Sequence, residues 1–96
     1  MAQLFVHHKI EDYTKWRKVF DEMESFRRSM GELEFHIYHT TASPTEIVVL
    51  TEWGTADQAR AYGQSPDLKQ AMQKAGVISQ PEVLILEEVK QPEISR

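Results

Sequence analysis

The run Glu46-Ile47-Val48-Val49-Leu50-Thr51-Glu52-Trp53, passing directly into Gly54-Thr55-Ala56-Asp57-Gln58, constrains this chain more than any other stretch. It reads as a strand that feeds a capped helix. Ile47, Val49, Thr51 and Trp53 alternate onto one face, while Val48 and Leu50 make the other face apolar too. Both faces need cover. In a chain of 96 residues the helices cover one face, and a second copy of the same sheet is the simplest cover for the other. A homodimer is therefore expected.

The rest of the chain supplies the partners for that strand. Gln3 to Ile10 alternates Leu4, Val6, His8 and Ile10 against Phe5, His7 and Lys9, and reads as a first strand. Tyr13, Trp16, Phe20, Met23 and Met30, with Val19 and Phe26 beside them, form a stripe at helical spacing. Asp12 is the expected N-cap and Gly31 the left-handed stop. Leu33 to Thr40 is a second strand, and Thr41 to Thr45, containing Pro44, is the turn into the third. Thr55 and Gln58 make a capping box for a short helix ending near Gly63. Ser65-Pro66 starts another, with Leu68, Ala71, Met72 and Ala75 as its buried stripe and Gly76 as its end. Glu82 to Val89 is the last strand, and a polar tail is expected at residues 91–96.

The order β-α-β-β-α-β is that of an α+β, ferredoxin-like antiparallel sheet with helices on one face, as a single domain over residues 1–90. A five-residue turn puts Leu33, Phe35, Ile37 and His39 on the same face as Ile47, Val49, Thr51 and Trp53. With Leu4, Val6, His8 and Ile10 they form the helix-facing core, in which His8 and Thr51 are the central polar exceptions. Phe5, His7, His36, Tyr38, Val48, Leu50 and Glu52 are left for the dimer interface.

Composition narrows the function classes. The net charge of −4 and the scattered basic residues argue against nucleic acid. The absence of Cys excludes disulfides and thiolate chemistry. No basic or long apolar segment opens the chain, so a cytoplasmic protein without membrane contact is expected. No nucleophile elbow, phosphate loop or dinucleotide fingerprint is present.

The segment Val6-His7-His8-Lys9-Ile10-Glu11-Asp12-Tyr13 with Trp16, Ser43-Pro44, Glu52-Trp53 before a helix, and Ser65-Pro66-Asp67-Leu68 with Ala71-Met72 resemble the dimeric α+β barrel superfamily. Within it the chain is similar to the antibiotic-biosynthesis-monooxygenase-like and cyclase-like small proteins. The resemblance implies a pocket between sheet and helices, with Trp53 at its edge. Members that the chain resembles include enzymes of cofactor-independent oxygenation or cyclisation of small aromatic, polyketide-like molecules, haem-degrading enzymes, and many small proteins of no assigned activity. The haem-degrading relatives bind iron through a His on the following helix, and the matching position here is Met72, which its stripe explains as core. No cofactor is expected.

His8 is the candidate catalytic residue, because an imidazole on an apolar face can serve as acid, base or hydrogen-bond donor to a phenol or enol. A neighbouring Thr51, Tyr13 or carbonyl could equally satisfy it with no substrate at all. Tyr13, Trp16, Phe35, Thr51, Trp53 and Met72 are the candidate substrate-binding residues, although aromatics at these spacings also make ordinary cores. His7, His36 and Glu52 have the ligand types for zinc. The histidines sit on strands separated by a third, about twice the ~4.8 Å strand spacing apart, so no metal is expected. Three functions stay open: a cofactor-independent enzyme, a non-catalytic ligand-binding or stress-associated dimer, and a structural domain with no cavity.

Overall fold

A computed structural model describes residues 1–89; the expected polar tail lies outside them. The elements run β1 (Ala2–Lys9), α1 (Tyr13–Glu22), α2 (Glu24–Ser29), β2 (Glu32–Thr40), β3 (Ser43–Trp53), α3 (Ala56–Gly63), α4 (Pro66–Ala75) and β4 (Glu82–Glu87). The four strands form one antiparallel sheet in the order β2-β3-β1-β4. The helices pack on one face, which is the ferredoxin-like arrangement.

The helix starts follow their capping chemistry. The Asp12 carboxylate accepts from the Lys15 amide at 2.9 Å, Thr55 and Gln58 form a reciprocal capping box, and Ser65 accepts from Leu68 ahead of α4. One expectation about the helices is corrected. The stripe from Tyr13 to Met30 is not a single helix, because Met23 leaves helical geometry at φ −86° and ψ −1°. Its amide is shared between the carbonyls of Val19 and Phe20, at 3.1 and 3.2 Å. The break lets α2 turn in against β2. Gly31 then reverses the chain at φ +115°, where a Cβ would also sit 2.6 Å from the Gln58 side chain.

The β2–β3 connection is tighter than expected. It is a two-residue turn, Thr41-Ala42, with Ser43 and Pro44 already in β3 and Thr40 paired with Ser43. A bulge between His39 and Thr40 offsets the shorter loop, so His39 pairs with Ile47, Ile37 with Val49 and Phe35 with Thr51. Phe35 and Ile37 thus share the helix-facing side with Ile47, Val49 and Thr51. Leu33 does not. A second irregularity between Glu32 and Glu34 pairs Glu32 with Trp53, which turns Glu32 inward and leaves Leu33 52% exposed.

The helix-facing core falls into two groups. Ile10, Trp16, Val19, Ile47, Val49 and Ala75 form one, and Leu4, Val6, Trp53, Ala59 and Tyr62 form the other. On the opposite face Phe5, His7, His36, Val48, Leu50 and Glu52 are only partly covered, and Tyr38 is half exposed. Leu84 of β4 lies beside Phe5 on that face. Among the described residues no helix is long and apolar enough to cross a membrane.

Candidate functional site

A partly open cavity of about 50 Å³ lies at the seam between the two core groups. Its walls are mostly apolar, supplied by Leu4, Val6 and Val49 of the sheet, Trp16, Val19 and Phe20 of α1, and Leu68, Ala71 and Met72 of α4. Its polar members are few. His8 and Thr51 rise from the sheet floor, Arg27 comes from α2 and Tyr62 from α3.

His8 is 4% exposed, placed inward by the same alternation that buries Leu4 and Val6. Its partner is neither Thr51 nor Tyr13. The Trp16 indole N–H donates to His8 Nε2 at 3.0 Å. An indole nitrogen can only donate, so Nε2 must present a lone pair, and the neutral ring carries its proton on Nδ1. That Nδ1 is buried and has no protein partner. Burial, aided by the nearby His7 charge, lowers the His8 pKa to about 4. At neutral pH His8 is therefore an uncharged imidazole with one free N–H.

The Thr51 hydroxyl is already committed. It accepts from the Trp53 indole at 2.8 Å and donates to the Leu4 carbonyl at 3.4 Å. Trp53 is fully buried behind it and does not line the cavity. Phe35 is also held back from the cavity, because it packs edge-on against Phe20 at 5.0 Å. Tyr13 stands outside. It stacks on the outer side of Trp16 and is 40% exposed, with its hydroxyl accepting from Arg17 at 3.1 Å. Of the expected pocket residues, His8, Trp16, Thr51 and Met72 come together, while Tyr13, Phe35 and Trp53 do not.

Two polar wall residues escape the sequence reading. Tyr62 follows Ala59 by one helical turn, and burial pushes its phenol up to about 12, so it stays neutral. Arg27 is 1% exposed. With Arg28 it forms a short basic group, yet the stripe 13, 16, 20, 23, 30 skips position 27, where the helical period requires a buried residue. Arg27 Nε donates to Glu32 at 2.7 Å and Nη1 to the Phe20 carbonyl at 2.6 Å. Its guanidinium carbon lies 3.7 Å from the centre of the Phe20 ring. This pair explains the β2 irregularity: Glu32 turns inward to meet the buried charge.

The open face holds a different arrangement. His7 bonds Glu46 at 2.6 Å and Glu82 at 3.3 Å, and those hydrogen bonds raise its pKa. His36 lies 3.4 Å from Glu52 and 3.8 Å from Glu34. Glu34, not His7, completes the group of donors within 4.8 Å of one another, because β3 separates β1 from β2. These are surface histidine–carboxylate contacts, with Glu34 exposed.

The family model for antibiotic biosynthesis monooxygenases matches residues 1–74. SnoaB, a cofactor-independent oxygenase from Streptomyces nogalater, has a TM-score of 0.74 at 12% identity, with 96% of each chain covered. The crystal structure of an antibiotic biosynthesis monooxygenase has a TM-score of 0.69 at 13% identity, covering 94% of this chain and 100% of that one. A protein from Mycobacterium tuberculosis has 0.65 at 12% identity, covering 95% and 98%. At these identities the likeness is one of fold. No curated protein sequence gives a significant match.

Proposed function

Because the chain belongs to the antibiotic biosynthesis monooxygenase family, we propose that it is a cofactor-independent oxygenase or cyclase acting on small phenolic or polyketide-like aromatics at the His8 cavity. The observation that carries this reading is the unpaired Nδ1–H of His8, a buried donor on a residue that lines the apolar cavity and whose other ring nitrogen is held by Trp16. Such a donor stabilises negative charge on a phenol or enol oxygen as the ring is activated, and it does so without itself titrating at neutral pH. In this reading His8 is the catalytic residue through hydrogen bonding. A base whose conjugate acid has a pKa of about 4 is too weak to abstract a phenolic proton efficiently.

Oxygenation at an activated ring CH₂ balances without a cofactor. Dioxygen delivers one oxygen atom to carbon as a carbonyl, and the other leaves as water with the two hydrogens. Trp16, Thr51 and Met72 would shape the site. A cavity of about 50 Å³ holds only a few waters, so an aromatic ring enters by moving Met23 and Met72, whose unbranched side chains re-pack easily.

We also assign residues 1–90 to one cytoplasmic domain that pairs with a second copy through the open sheet face. Phe5, Val48, Leu50, Tyr38 and Leu84 support this, being apolar, contiguous and partly exposed. A non-catalytic ligand-binding dimer is the alternative, and it would use the same cavity. The test is oxygen uptake by the purified protein with a hydroxylated anthrone and no added cofactor, with ¹⁸O₂ to label the product. Labelled product lost in His8→Ala supports the enzyme, whereas binding without turnover favours the alternative.

A further inference from the structure

One of the three nitrogens of the buried Arg27 guanidinium has no partner. Nε serves Glu32 and Nη1 serves the Phe20 carbonyl, but Nη2 is buried with no hydrogen bond. Leaving such a group unpaired is costly, and more so for a charged one. Arg27 also lines the cavity that His8 adjoins, and the His8 Nδ1–H is likewise buried and free. Among the residues that line the cavity both unpaired atoms are donors; the third buried atom without a partner, Glu32 Oε1, is an acceptor on a residue that does not line it. Apart from His8 and Arg27, the polar wall side chains are the committed Thr51 and the neutral Tyr62.

Resting on the proposed function, we propose that this cavity is selective for anions, and that its aromatic ligand is bound as an ionised oxygen species, with the charged oxygen facing Arg27 Nη2. Phenolates, enolates and aryl carboxylates belong to this class, and their neutral analogues do not. Glu32 does not cancel the preference. It occupies the Nε edge of the fork and does not line the cavity. Phe20, stacked on the guanidinium, keeps the plane fixed while Nη2 donates.

The experiment compares isosteric probes on the intact ¹⁵N-labelled protein. Sodium acetate and sodium benzoate are titrated against acetamide and benzamide, following the Nε–Hε signal of Arg27 and the ring nitrogens of His8. The exposed, ion-paired Arg17, Arg28 and Arg60 serve as internal controls. Saturable shifts at Arg27 and His8 with both anions, about tenfold tighter than with the amides, are expected. If acetate binds at Arg27 but neither aromatic probe enters, anion selectivity stands and the aromatic reading of the cavity fails. If benzoate and benzamide bind equally, the aromatic reading stands and the selectivity is overturned. Shifts confined to the exposed arginines, or no binding by any probe, overturn the proposal.

Discussion

Replacing His8 with Gln should make the protein less sensitive to acid, by an amount that the buried ring sets. Gln keeps an acceptor for the Trp16 N–H but cannot take a proton. Above pH 6.5 the wild-type ring is neutral both folded and unfolded, so its titration contributes nothing. Between 6.5 and about 4 the unfolded chain binds a proton that the native state refuses, and stability falls by about 1.4 kcal/mol per pH unit. At pH 4 the loss reaches about 3 kcal/mol, a large share of the roughly 5–15 kcal/mol of a typical domain. Urea unfolding of both proteins between pH 4 and 8, at fixed protein concentration, isolates this contribution, because the carboxylates common to both cancel in the difference. The stability of wild type relative to His8→Gln should drop by about 3 kcal/mol from pH 7 to pH 4. A pH-independent difference would show that the native ring accepts a proton normally, and would refute the burial argument.

The sign reverses at His7, whose pKa is raised by Glu46 and Glu82. The stability that His7→Gln removes should be present below pH 6.5 and vanish as pH rises through the higher native pKa, in the same urea series. Arg27→Met should cost about 3–5 kcal/mol by stranding the Glu32 carboxylate, and adding Glu32→Gln should recover part of it, as a double-mutant thermal unfolding cycle would show. Leu50→Glu should halve the mass seen by light scattering, whereas Lys18→Glu should leave it unchanged. Gly31→Ala should destabilise by about 1 kcal/mol or more, measured by urea unfolding, since φ +115° and the Gln58 side chain both oppose a Cβ.

The strands were legible because alternation leaves little choice: Leu4, Val6, His8 and Ile10 could be buried together only if His7 faced away. Caps at Asp12, Thr55 and Ser65 were legible for a similarly local reason, since their side chains bond amides three residues on. What failed was non-local. Nothing near Met23 marks a helix break, and the inward turn of Glu32 makes sense only once Arg27 is known to be buried beside it. The β2–β3 loop illustrates two errors that offset each other, a shorter turn and a bulge, leaving the face of Phe35 and Ile37 as expected.

The candidate site divides along the same line. His8 was found from parity alone, and its true partner Trp16 lies only eight residues away, yet the pairing needs the crossing of α1 over β1. Trp53 resembles a pocket residue by its position at a strand end. Its indole instead reaches back to Thr51, two residues earlier on the same face, and is sealed in. Arg27 was the recoverable miss, because a charged residue at the one vacant position of an apolar stripe is a signal that needs no structure.

The central claim, that His8 is a neutral, Nδ1-protonated donor held by Trp16 at the cavity, is tested most directly by ¹⁵N NMR of the histidine ring nitrogens. Across pH 5.5 to 8 the account predicts one ring with a protonated Nδ1 and an unprotonated, hydrogen-bonded Nε2, unchanged throughout and released to tautomer exchange in Trp16→Phe. A His8 ring protonated on Nε2, or one titrating near pH 6.5, would contradict it.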